Sequence, residues 1–271
     1  ECLIQHDPDE RPTRPEKDTY AISPSGHFYI HYDTTDADNG VPPDLTDNNG
    51  NGIPDYVDEV SVIADSAHHV LFDVLGYEVE PFDGEGGYDI FIKSFAAGVY
   101  GYCKKDNPSL NSDGQTSWVE IDNDYIDYNS IFNLTPIQIM RISLGHEYFH
   151  GVQYGYEGNF GNNAYFYEMT SMWFEDVLIP DGNDYLDGWA DDLLDDPTAA
   201  FDDTGDGYEL ALFGHYLSSF IDENGMGDHK QSTIMREIWE RFRDSNSSAY
   251  TSVKYILENN YNWDFSEAWV D

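Results

Sequence analysis

Two histidines and a glutamate carry the clearest chemistry in this chain. They lie in His146-Glu147-Tyr148-Phe149-His150. A spacing of four puts both imidazoles on one face of a helix. Both can then reach one zinc ion, and Glu147 is placed to take a proton from a water that the ion has made acidic. Such chemistry cleaves a carbonyl compound, with a peptide bond as the usual target. A catalytic zinc takes three protein ligands, so a third is required. Gln153 and Tyr156 stand where a longer motif would need glycine and histidine, which excludes a third ligand from that extension. The alternative is a glutamate from a second helix. Glu168 follows His150 after 17 residues, which leaves room for a short turn and an antiparallel return. Glu175 lies seven residues further on the same helix face and is the rival ligand, or else an acceptor for a histidine N–H.

A second constellation is Asp47-Asn48-Asn49-Gly50-Asn51-Gly52-Ile53-Pro54-Asp55-Tyr56-Val57-Asp58. Oxygen-bearing side chains fall at positions 1, 3, 5, 9 and 12 of a twelve-residue calcium loop: Asp47, Asn49, Asn51, Asp55 and Asp58. Ile53 offers its backbone carbonyl at position 7, and Gly52 stands where the sharp turn needs it. Position 12 is Asp rather than Glu, Pro54 is unusual, and no helix precedes Asp47. These features place the loop nearer dockerin or thrombospondin-type loops than a paired calcium sensor. Asp202-Asp203-Thr204-Gly205-Asp206-Gly207 is a weaker copy that ends on Phe213 and reads as a loop.

The elements that must position these residues are legible in part. Thr135, Pro136 and Gln138 form a capping box with proline at the first helical position. Ile137, Met140, Leu144, Phe149 and Val152 then recur at helical spacing. Gly151 and Gly155 weaken the end, so the helix is expected over 136–154. Asn163 caps a helix over 164–178 that carries Glu168 and Glu175. Further helices are expected over 56–75, 208–222, 231–244 and 249–259. Strands are expected at 27–32, 88–92, 99–102 and 118–121. Strands first and helices later predict an α+β fold. An extended N-terminal arm (1–25) leads into a first lobe (26–155) with the calcium loop and the HExxH helix. A mainly helical second lobe (156–271) supplies the third ligand. His68 and His69 fall on a helix away from the motif and read as structural.

Composition narrows the role. With 53 acidic and 12 basic residues, the net charge of −41 repels nucleic acid and anionic lipid. The acid is spread along the chain, and 15% aromatic content argues for a packed protein rather than a disordered one. No run of about 20 apolar residues exists to span a membrane. Cys2 and Cys103 are a candidate disulfide in an extracellular setting. The chain opens on Glu1, which reads as a trimmed, mature form, and its helix-like end at Trp269-Val270-Asp271 carries no stop signal. A monomer is expected.

With these motifs the chain resembles the gluzincin zinc peptidases. More closely, it resembles a family of secreted bacterial metalloendopeptidases found in myxobacteria and related organisms. The resemblance is carried by Ser25-Gly26-His27-Phe28-Tyr29-Ile30-His31-Tyr32, Asn51-Gly52-Ile53-Pro54-Asp55-Tyr56-Val57, His146 through Gln153, and Glu168 through Asp176. It implies a zincin-like fold, secretion, zinc held by His146, His150 and Glu168, Glu147 as general base, and a protein or peptide substrate. Gluzincins often supply a downstream Tyr or His to the oxyanion, which makes Tyr208 and His215 the candidates. One strand, 99–102 or 117–121, is expected to pair with an extended substrate. Two other classes share these residues: a calcium-stabilised binding or adhesion module with a vestigial zinc site, and a zinc hydrolase of non-peptide amide or ester bonds.

Overall fold

A computed structural model describes residues 12–35, 40–42, 44–84, 86–107, 114–126, 134–186, 189–195, 200–202, 206–245 and 247–270. The strands are β1 (Thr19–Ile22), β2 (Phe28–Tyr32), β3 (Tyr88–Lys93), β4 (Gly101–Lys105) and β5 (Ser117–Asp122). Among the described residues they form one sheet in the order β1-β2-β3-β5-β4. β2, β3 and β5 run parallel, with Ile30 opposite Ile90 and Ile90 opposite Val119. The outer pairs are antiparallel, with Ala21 opposite Ile30 and Cys103 opposite Val119. β5 therefore has both edges filled, whereas β4 is an edge strand.

The helices are α1 (Asp55–His68), α2 (Pro136–Tyr156), α3 (Ala164–Leu178), α4 (Trp189–Asp195), α5 (Ala211–Tyr216), α6 (Ile234–Ser245), α7 (Ala249–Ile256) and α8 (Phe265–Val270). The fold is α+β. α2 lies across β4 and β5 and also packs on α1 and α3. One hydrophobic core runs from Ala21 in β1 to Ala268 in α8, so it is continuous across the expected boundary between the two lobes.

α1 buries Val57, Val60, Ala64 and Ala67, one stripe of a helix. A π-helical turn (His69–Val74) continues it to Leu75, close to the expected end. α2 begins as expected: Gln138 N donates to Thr135 Oγ1 at 3.3 Å and Thr135 N donates to Gln138 Oε1 at 3.0 Å. It runs past the expected end to Tyr156. The two glycines serve close approach rather than termination. A Cβ at Gly151 would stand 2.4 Å from the Tyr88 hydroxyl, and one at Gly155 would stand 3.1 Å from the Pro81 ring. Asn163 does precede α3, but its Oδ1 accepts from Ala249 N instead of capping the helix.

Three expectations shift. The arm contains β1, a short edge strand whose Tyr20 and Ile22 face solvent, so no apolar run advertised it. β4 begins two residues later than expected and includes Lys104 and Lys105. Buried Lys105 lies over the Phe160 ring and donates to Gly158 O at 2.7 Å, a partnership invisible to alternation. The segment 208–222 divides into a 3-10 turn (Tyr208–Leu210), α5 and a π turn (Leu217–Ile221). Of the proposed disulfide, Cys103 is a buried free thiol and Cys2 lies outside the described residues. The weak loop at 202–207 also lies partly outside them. No helix among the described residues is long and apolar enough to cross a membrane.

The face of the sheet away from α2 carries a buried charge. Glu120 in β5 meets Lys93 Nζ at 2.9 Å and Lys104 Nζ at 3.2 Å, and accepts from Trp118 Nε1. Burial acts to raise its pKa, but the two lysines overcome it and hold the carboxyl below its ordinary value. A carboxylate with a depressed folded pKa stabilises above its unfolded pKa and loses that effect as pH falls through the folded one. Glu120→Gln is expected to lower stability by about 2 kcal/mol at neutral pH, discounted for the partly exposed lysines. Urea melts should show the gap closing in acid; a gap unchanged in acid would contradict the pairing.

Candidate metal centre

α2 and α3 pack face to face and bring three ligand atoms together. His146 Nε2 lies 3.0 Å from Glu168 Oε2 and 3.1 Å from His150 Nε2, and His150 Nε2 lies 3.5 Å from Glu168 Oε2. All three side chains are buried. A tetrahedral zinc ion with bonds of ~2.1 Å has ligand atoms about 3.4 Å apart, so the spacing fits one ion.

The surrounding hydrogen bonds set the tautomers. Gln153 Nε2 donates to Tyr167 O, Thr170 Oγ1 and Ser171 Oγ at 3.0–3.1 Å. That fixes the amide with Oε1 toward His150 Nδ1, 2.7 Å away. His150 therefore donates from Nδ1 and leaves a lone pair on Nε2. Glu175 does the same for His146, with Oε1 2.5 Å from Nδ1. Two imidazole lone pairs and a carboxylate oxygen then face one another, an arrangement that calls for a cation. Without an ion, a proton on His146 supplies that positive charge. Burial acts to lower the His146 pKa, but Glu168 and Glu175 lift it well above its ordinary value. Burial acts to raise the Glu168 pKa, but His150 and His146 push it down to about 2.

Glu168 thus groups with the two Nε2 atoms, and Glu175 takes the orienting position. Glu147 is buried on the same helix, and its side chain lies against the edge strand: a Cβ at Gly101 would stand 2.8 Å from Glu147 Cγ. Tyr208 is buried, with its ring 6.4 Å from that of His146. His215 goes elsewhere, to a group with Asp176 and His229. Sequence reasoning did not find Gln153 or Gly101. Gln153 carried a signal, since it stands three residues after His150 on the same helix face; Gly101 meets Glu147 only through tertiary packing.

The loop 47–58 folds round its own side chains. Asp47 accepts from Gly50 N, Asn51 N and Gly52 N. Asn49 and Asn51 both contact the Asp58 carboxylate, and Asn48 engages Asp55. Gly52 has a φ of 88°, the left-handed conformation expected at the sharp turn. Asn51 Oδ1 accepts from Ile53 N. His69 pairs with Asp73 on the surface. His68 lies beside His27, which pairs with Glu80.

Comparison of the chain with protein-family models, curated proteins and solved structures finds no match in any of the three.

Proposed function

We propose that this protein is a zinc-dependent metalloendopeptidase of the gluzincin type, with a zincin-like arrangement of β4, α2 and α3. The observation that carries the reading is the convergence of His146 Nε2, His150 Nε2 and Glu168 Oε2 within 3.5 Å, with the Glu147 side chain against an edge strand. His146, His150 and Glu168 would hold the ion, and Gln153 and Glu175 would orient the two imidazoles. Zinc in such a site polarises a carbonyl and makes water acidic enough to lose a proton near neutral pH.

The chain's own residues supply the rest. Glu147 accepts the proton of the attacking water and delivers it to the leaving amine. Tyr208, beside His146, is the residue assigned to donate a hydrogen bond to the developing oxyanion. Among the described residues β4 lies at the edge of the sheet and β5 inside it, which favours β4 over β5 for pairing with an extended peptide. Secretion follows the same family resemblance and suits a calcium loop, since extracellular calcium is plentiful.

The test is hydrolysis of denatured casein, its suppression by 1,10-phenanthroline and its return with added zinc. Stoichiometric zinc without casein hydrolysis would favour a binding module or a hydrolase of non-peptide bonds. Two further outcomes are expected. Gly101→Ala drives a methyl group into Glu147 and should cut kcat/KM about 10²-fold with zinc content unchanged; activity within twofold of wild type would remove Gly101 from the site. Calcium is assigned to the 47–58 loop through Asp47, Asn49, Asn51, the Ile53 carbonyl, Asp55 and Asp58. EGTA should then lower Tm by about 5 °C, and an unmoved Tm would count against calcium.

A further inference from the structure

α3 continues beyond Glu175 into a second cluster of ligand-type side chains. Asp176, His215 and His229 each present one ligand atom, and these atoms all lie within 4.8 Å of one another. They come from three separate elements: the end of α3, α5, and the 3-10 turn His229–Gln231. We propose that Asp176, His215 and His229 form a second binding site for a divalent transition metal, with zinc as the best chemical fit to two imidazoles and a carboxylate.

Three observations support the site independently of the first centre. His215 is 7% exposed, and its Nε2 is buried without a hydrogen-bond partner among the described residues. That nitrogen lies 3.8 Å from Asp176 Oδ2. A buried imidazole nitrogen ordinarily finds a partner. Here it points toward a carboxylate and a second imidazole, whose ring centre is 4.9 Å from its own.

The His229 ring has an orienting partner. Trp173 Nε1 donates to Ser218 Oγ at 2.8 Å, and Ser218 Oγ lies 2.8 Å from His229 Nδ1. When His229 donates from Nδ1 to this hydroxyl, its Nε2 keeps the lone pair that a metal requires.

The Tyr185 ring packs beside His215 at 4.8 Å and limits the approach of water.

This site is separate from the first. Asp176 lies eight residues after Glu168, about 12 Å further along α3. A metal here would tie α3 to α5 and to the 229–231 turn, just beyond the residue that orients His146. Its role is therefore structural: it holds the end of α3 against α5, which directly follows the 3-10 turn carrying Tyr208.

The test is zinc content per chain, measured by mass spectrometry after dialysis in excess calcium to occupy exposed carboxylates. Wild type, His229→Gln, His215→Ala and His150→Ala are compared, with thermal melts to confirm folding. Calorimetric titration of zinc into metal-free wild type gives an independent count. Two equivalents in wild type, falling to one in folded His229→Gln and to one in His150→Ala, establish the site. One equivalent in wild type that His229→Gln removes and His150→Ala leaves also establishes it, while removing the first centre. Wild-type zinc content in folded His229→Gln overturns the proposal, as does a single calorimetric equivalent that only His150→Ala abolishes.

Discussion

Glu147→Gln is expected to reduce the rate of casein hydrolysis by about 10²- to 10⁴-fold, the range that a positioned general base contributes. Bound zinc and Tm should stay close to wild type. The substitution keeps the shape of the side chain and its packing against Gly101. It removes the ability to accept a proton and return it. The loss should therefore fall on kcat, with KM little changed, because no ligand atom and no edge of β4 has moved. Steady-state kinetics beside metal analysis on the same samples checks this. A variant with near-wild-type turnover would mean that another group takes the proton.

The second large effect separates the two glutamates of α3. Glu168→Ala removes the oxygen that faces both Nε2 atoms. The two imidazoles that remain, with no charged partner for the ion, should not retain zinc through dialysis. Glu175→Gln removes only the carboxylate behind His146 Nδ1. Loss of such an orienting partner typically lowers metal affinity about 10- to 100-fold. Glu175→Gln should therefore bind zinc more weakly yet still bind it. Competition with a chelator of known affinity measures both. If Glu175→Gln lost zinc entirely and Glu168→Ala kept it, the roles of the two residues would be reversed.

Much of the site was legible because it is local. The HExxH spacing, the capping box at Thr135 and the period of α3 all act within a few helical turns, where sequence distance and spatial distance agree. The rest depends on which elements meet. The choice between Glu168 and Glu175 turns on how α3 packs against α2. The same packing makes Gly151 and Gly155 points of close approach rather than a helix end. β4 was placed two residues early because the partners of Lys104 and Lys105, in Glu120, Phe160 and Gly158, come from distant segments. β1 escaped because an exposed edge strand of four residues has little alternation to read. His215 was sought near the oxyanion because the resemblance to gluzincins implies a downstream Tyr or His there. The helix type changes twice between Tyr208 and Ile221, and His215 falls instead beside Asp176 and His229.

The most direct measurement is an anomalous difference map from crystals of the zinc-loaded protein, with data collected on both sides of the zinc absorption edge. The expected result is a peak ~2.1 Å from His146 Nε2, His150 Nε2 and a Glu168 carboxylate oxygen, with the Glu175 carboxylate behind His146. No zinc peak among these three residues, in crystals that carry zinc elsewhere, would contradict the assignment of this centre.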